Sequence, residues 1–222
     1  MSTNSVLKGV FLVGLGATSY GMLATFVKLA YKENFTTAEV TTAQFILGII
    51  GVLIINSFQR IKNDNTAVKA TKKNIFQLML AGTSLGMTSV FYYLCVRYID
   101  VSIAIVLLMQ TVWMGVVLEM FLEKKLPSKI KVFAVLIVLF GTALATNLFS
   151  KSIDLDWRGV VLGLLAAASF TTTMFAANKV ALSISSAQRS LYMLLGGIIV
   201  VFVLYTFIIW EIFLSIYFKN TK

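Results

Sequence analysis

The chain has 222 residues, 59% hydrophobic and 13% charged, with a formal net charge of +10 and a mean hydropathy of +0.89. Soluble domains average about 25% charged residues, so most water-soluble enzymes are excluded. The basic residues fall in short loops between apolar runs, which suits a membrane surface and argues against nucleic acid as a partner.

Seven apolar runs can be read in order, each long enough to cross a bilayer as a helix, which takes about 20 mostly apolar residues. They cover residues 9–31, 38–58, 75–96, 101–122, 131–149, 159–181 and 191–218. The first is too long for a cleavable signal peptide and has no small-residue cleavage site before a soluble domain. A polar, basic connector from Arg60 to Lys73 follows the second and suits inner-leaflet phospholipid. The only proline, Pro127, stands just before the fifth run, where a missing N–H costs little. The seventh run is unusually long and holds Glu211 between Trp210 and Ile212. A charge within a span is costly unless it faces protein or water. Residues from about Tyr205 onward therefore read as out-of-frame or degraded sequence. The alternative is a genuine seven-helix protein with an interfacial C-terminal segment.

Orientation follows from the cations. With the N-terminus inside, twelve of the 19 Lys and Arg residues lie on the inner side and seven on the outer, which favours a cytoplasmic N-terminus in a cell (inner) membrane. The chain also resembles itself at an offset of 150 residues. Lys8-Gly9-Val10 falls on Arg158-Gly159-Val160, and Leu12, Leu15, Ala17 and Ser19 meet identical residues, while Tyr20 falls on Phe170. The offset spans five runs, an odd number, so the second copy enters the membrane from the opposite side. That is an inverted repeat of the kind secondary transporters use. The expected fold is an all-α polytopic membrane protein, with a five-helix module at 5–150 and an incomplete second module at 151–222.

The stretch Thr88 to Ala145 resembles the EamA module of the drug/metabolite transporter superfamily. An aromatic third span leads through a short turn into a fourth, Glu123-Lys124 stands where that family has Glu-Arg, and Gly141 matches a later Gly. Asp156-Trp157-Arg158-Gly159 resembles the opening of a second module. The sequence departs from the pattern at Gln110, where the fourth span usually has Pro, at Gln44, where the second often has Arg, and at Ala134, in place of a Gly. The resemblance implies a secondary transporter, an exporter of amino-acid-like or drug-like solutes by alternating access. Its partners would be the lipid bilayer, a small-molecule solute, and a second copy or partner chain completing the second repeat. The alternative is a truncated, inactive fragment or a non-catalytic subunit.

Candidate pathway residues are the polar groups inside spans. Tyr92 and Tyr93 lie mid-run in the third span with Thr88 and Ser89 a turn earlier, and successive tyrosines point about 100° apart, so at most one faces a cavity. Gln110 and Trp113 share nearly one face of the fourth. Gln44, Thr41 and Thr42 on the second, Tyr20 and Thr25 on the first, and Thr171, Thr172 and Thr173 on the sixth complete the set. The lining chosen from these is Tyr20, Thr25, Gln44, Thr88, Tyr92, Gln110, Trp113 and Thr172. For each of them helix–helix packing through hydroxyls and small side chains is the competing reading. Glu39 and Glu119 are either interfacial ends or proton-coupling groups. With one Cys and no His there is no disulfide, and the usual metal ligands and general base are wanting. No phosphate loop and no cofactor pattern occurs, so no enzyme activity is expected.

Overall fold

The computed structural model of the chain describes residues 3–62, 70–124, 126–145 and 156–220. Among these, eight helices follow one another: α1 (Thr3–Lys32), α2 (Thr37–Lys62), α3 (Lys72–Tyr98), α4 (Val101–Met109), α5 (Thr111–Glu123), α6 (Lys129–Ala145), α7 (Trp157–Lys179) and α8 (Ser186–Asn220). No strand occurs among the described residues. Among the described residues, six segments are long and apolar enough to cross a membrane, α4 and α5 forming one of them together. The fifth run is described as the 17 residues of α6, about 26 Å of helix. Most of the 60–73 connector, Lys125, Lys151 and the side chains around Glu211 lie outside the described residues.

The helix ends follow local chemistry. At the end of α1, Asn34 takes the left-handed conformation (φ 64°). The N–H of Phe35 then donates to Ala30 O and that of Asn34 to Tyr31 O, at 3.1 and 3.2 Å, so carbonyls left open by the last turn are satisfied. Thr36 and Glu39 form a reciprocal cap on α2: the Thr36 N–H donates to Glu39 Oε2 at 2.7 Å and the Glu39 N–H to Thr36 Oγ1 at 3.3 Å. Thr71 Oγ1 accepts from the Asn74 N–H and Asp156 Oδ1 from the Arg158 N–H, starting α3 and α7. The sixth run continues to 181, yet α7 ends at Lys179, because Val180 is extended (φ −94°, ψ 132°) and Ala181 then turns into φ 49°. An alanine there costs about 1–2 kcal/mol relative to helical backbone, a cost glycine escapes. Ala181→Gly is accordingly expected to raise the melting temperature in detergent.

Helix α3 is the centre of the bundle. It packs most heavily on α7 and α8, while α2 packs on α8 and both α4 and α5 pack on α7. Thus α8 stands between α2 and α3, sequence neighbours that touch little, and α7 stands between α3 and the broken fourth span. The buried face of α3 includes Leu78, Gly82, Gly86, Val90, Tyr93 and Cys95. Apolar clusters join it to α2 and α8 through Phe45, Val201 and Tyr205, and to α1, α4 and α7 through Val27, Ala104 and Ala166. Tyr205, where degraded sequence was expected to begin, is therefore a packed core residue.

Hydrocarbon provides no hydrophobic drive between helices, so close backbone packing at small residues has to hold the bundle. A Cβ built on Gly86 would sit 2.5 Å from Gly197 O, and one on Gly82 would overlap Met193 O. On α7, Gly159 and Gly163 meet Ile99 and Leu107 just as closely, and Ala166 and Ala167 are fully buried beside them. The α1 and α6 helices make few contacts and present large apolar side chains outward, Val13 at 72% exposure among them. Such faces suit lipid or further protein.

Candidate functional site

Two groups of polar side chains lie inside the spans. The first joins α1, α2, α3 and α8. Tyr93 Oη donates to Gln44 Oε1. Tyr31 Oη donates to the main-chain oxygen of Tyr93 at 3.1 Å and lies 3.2 Å from Thr37 Oγ1. Thr41 Oγ1 donates to Thr37 O at 2.6 Å and is 3.1 Å from Tyr205 Oη. Thr41, Tyr93 and Tyr205 are buried, so each hydroxyl needs such a partner.

The second group surrounds a break in the fourth span. At Gln110 the backbone N–H donates to Leu107 O at 3.1 Å, one residue short of the α-helical partner. The side chain fills the gap, because Nε2 donates to Val106 O at 3.1 Å. Its Oε1 in turn accepts from Trp113 Nε1 at 2.8 Å. The glutamine amide thus replaces its own backbone donor and holds the break without a proline. Beside it, Thr111 Oγ1 lies 2.7 Å from Thr171 Oγ1, tying α5 to α7, and Ser84 Oγ lies 2.8 Å from Thr173 Oγ1, tying α3 to α7.

The structure distributes the eight expected residues unevenly. It brings Gln110 and Trp113 together, and it joins Gln44 to the third span through Tyr93 rather than Tyr92. Tyr92 is 4% exposed and belongs to the apolar cluster with Val27 and Ile99. Thr88 is buried with its hydroxyl on Ser84 O at 2.8 Å. Tyr20 is partly exposed and stacks on Phe170 at 5.9 Å between ring centres, 9° from parallel. Thr25 is exposed on α1. Thr172 is exposed with its hydroxyl on Ala168 O, while its neighbours Thr171 and Thr173 turn into the bundle. Tyr31, Thr37, Tyr205 and Ser84 were not among the candidates. The i, i+4 spacing of Thr37 and Thr41 could have revealed their shared face.

Every acid weighed for coupling has a structural partner. Glu39 Oε2 caps α2, and Glu119 takes Lys131 Nζ on both oxygens, at 2.8 and 2.6 Å. Lys179 Nζ meets Glu123 at 2.6 Å, and Lys28 Nζ meets Asp100 at 3.0 Å. Glutamine can also close the cap of α2 through its side-chain oxygen. We therefore expect Glu39→Gln to leave the pH profile of flux unchanged and to lower stability only slightly, for the charge lost at the start of α2, whereas Thr36→Ala costs about 1 kcal/mol of stability. Thermal unfolding of the two variants in detergent, with flux at several pH values, checks this.

Cavities flank the level of the break. One of about 510 Å³ lies at the end carrying the α1–α2 turn, bordered by Tyr31, Thr37 and Arg97. Another of about 320 Å³ lies between α5 and α7, bordered by Thr111, Thr171, Glu119 and Lys179. No cluster of metal-ligating side chains occurs among the described residues. The model of the EamA-like transporter family matches residues 7–147. Neither a curated protein nor a solved structure matches the sequence.

Proposed function

Because the chain belongs to the EamA-like transporter family, and is a multi-pass membrane protein of the drug/metabolite transporter type, we propose that it exports small metabolites, amino-acid-like or drug-like solutes, across a cell (inner) membrane by alternating access. The N-terminus lies in the cytoplasm. The observation that carries the reading is the pair of polar groups from different helices inside the spans, one of them built on a broken helix. Interrupted spans are where transporters place solute sites. The pathway runs past Gln44, Tyr93, Gln110, Trp113 and Thr171, between the cavities at the two ends.

The two-module organisation is supported by the Tyr20–Phe170 stack. These residues are related by the 150-residue repeat offset, and residues related by a pseudo-two-fold axis meet only close to it. The exposed face of α1 fits a second copy or a partner chain. The test is flux: the chain is reconstituted in liposomes and a panel of labelled amino acids and amphipathic drug-like solutes is offered. Movement of at least one solute above protein-free liposomes is expected. No movement of any panel member, in either direction, overturns the reading.

A further inference from the structure

The cavity at the α1–α2 turn has a charge pattern that neither the family nor the proposed pathway explains. Lys28 and Lys32 reach it from successive turns of α1, and Arg97 reaches it from the last turn of α3. No acid lines it. Lys28 is answered by Asp100 at 3.0 Å, and Glu39 is held back by the cap on α2. Lys32 and Arg97 have no ion-pair partner among the described residues. The wall between them is a built turn, fixed by the left-handed Asn34 and by the reciprocal Thr36–Glu39 cap. Asn34 and Thr36 also line the cavity and add neutral polar groups. At about 510 Å³ it falls within the range of small-molecule sites.

We propose that this cavity is an oxyanion site, taking the phosphate or carboxylate of a ligand between Lys32 and Arg97. Arginine presents a planar fork that matches such a group, and lysine adds a point charge. Cations at the last turns of α1 and α3 also favour the helix dipoles. That explains a positive sign at each helix end, but not the convergence of Lys32 and Arg97, without ion-pair partners among the described residues, on one cavity. The oxyanion comes either from a solute, which would make the cavity a mouth for anionic solutes and would rest on the transport reading, or from an anionic lipid headgroup.

Binding is measured without flux, so the result is independent of transport. The full chain is placed in nanodiscs of zwitterionic lipid and titrated with inorganic phosphate by calorimetry. Lipid retention is read separately, by native mass spectrometry, from nanodiscs that contain phosphatidylglycerol. The variants are Lys32→Gln/Arg97→Gln and the charge-conserving Lys32→Arg/Arg97→Lys. Phosphate binding that weakens at least tenfold in the neutral variant and persists in the conserved one assigns the site to solute anions. Absence of phosphate binding, with phosphatidylglycerol retained by wild type and lost from the neutral variant, assigns it to lipid. Equal behaviour of wild type and the neutral variant in both measurements overturns the proposal. Both side chains are exposed, so the substitutions leave the fold in place, which helical circular dichroism verifies.

Discussion

Replacing Gly82 by alanine is expected to lower the melting temperature of the detergent-solubilised chain by up to about 8 °C, while the same change at Gly51 raises it slightly. Both glycines are within helices, and alanine gains about 1 kcal/mol over glycine there when space allows. At Gly51 nothing lies within 4 Å of the added Cβ. At Gly82 the new carbon runs into the backbone of Met193, and at the reciprocal position Gly196 it runs into Met79 O. Backbone cannot swing aside as the end of a side chain can, so α3 and α8 have to separate. Overpacking of this kind costs about 1–3 kcal/mol, and for a chain of this size each kcal/mol moves the midpoint by about 2–4 °C. Separation also loosens the contacts of Gly197 with Gly86 and with Phe45, one turn along the same seam. Gly82→Leu is expected to yield no monodisperse folded species by size-exclusion chromatography. Equal melting of the Gly82→Ala and Gly51→Ala chains would show that the seam does not hold the bundle.

That seam marks the limit of what the sequence discloses. Hydropathy locates the spans because each must satisfy its own backbone within hydrocarbon, and the ends are legible where Thr36-x-x-Glu39 or Asp156 supplies a cap. The packing order is not legible. Nothing local to α2 or α3 says that α8 will stand between them, since that depends on Gly86 and Gly197, far apart in the chain, meeting backbone to backbone. The polar residues show the same division. Apolar patterning identifies Gln44, Gln110 and the threonines as unusual, but the side of a helix that faces protein depends on its neighbours. Tyr93 rather than Tyr92 therefore meets Gln44, and Thr171 and Thr173 turn inward where Thr172 does not. The packing of Tyr205 is hidden from the sequence for a related reason. Its hydrogen bond to Thr41 is made across 164 residues, and nothing local to α8 announces it.

The second large effect is expected at Gln110. In Gln110→Ala the side-chain donor to Val106 O disappears, and the carbonyl's best remaining partner is the backbone N–H of residue 110 itself. Taking that bond restores the regular α-helical pattern, so α4 and α5 fuse into one straight helix and Trp113 loses its acceptor. Alanine is also the strongest helix former, so the chain should melt no lower than wild type while solute flux falls on the order of tenfold. A drop of that size corresponds to about 1.4 kcal/mol against the working conformation. Gln110→Pro makes the opposite test. The backbone of Gln110 sits at φ −59°, which the pyrrolidine ring adopts unforced. Proline has no N–H to give Val106, so the break persists although the bond to Leu107 O is lost. Flux in the proline variant should stay within about threefold of wild type at some cost in stability. A structural role for the glutamine alone predicts the reverse ranking, with proline the more damaging in both measurements. Flux and melting temperature taken together on the two variants therefore separate a break that is needed for transport from one that is merely tolerated. If alanine retains full flux, the break is no part of the mechanism, and the cavities on either side of it must communicate along the Thr41–Tyr205 and Gln44–Tyr93 contacts instead.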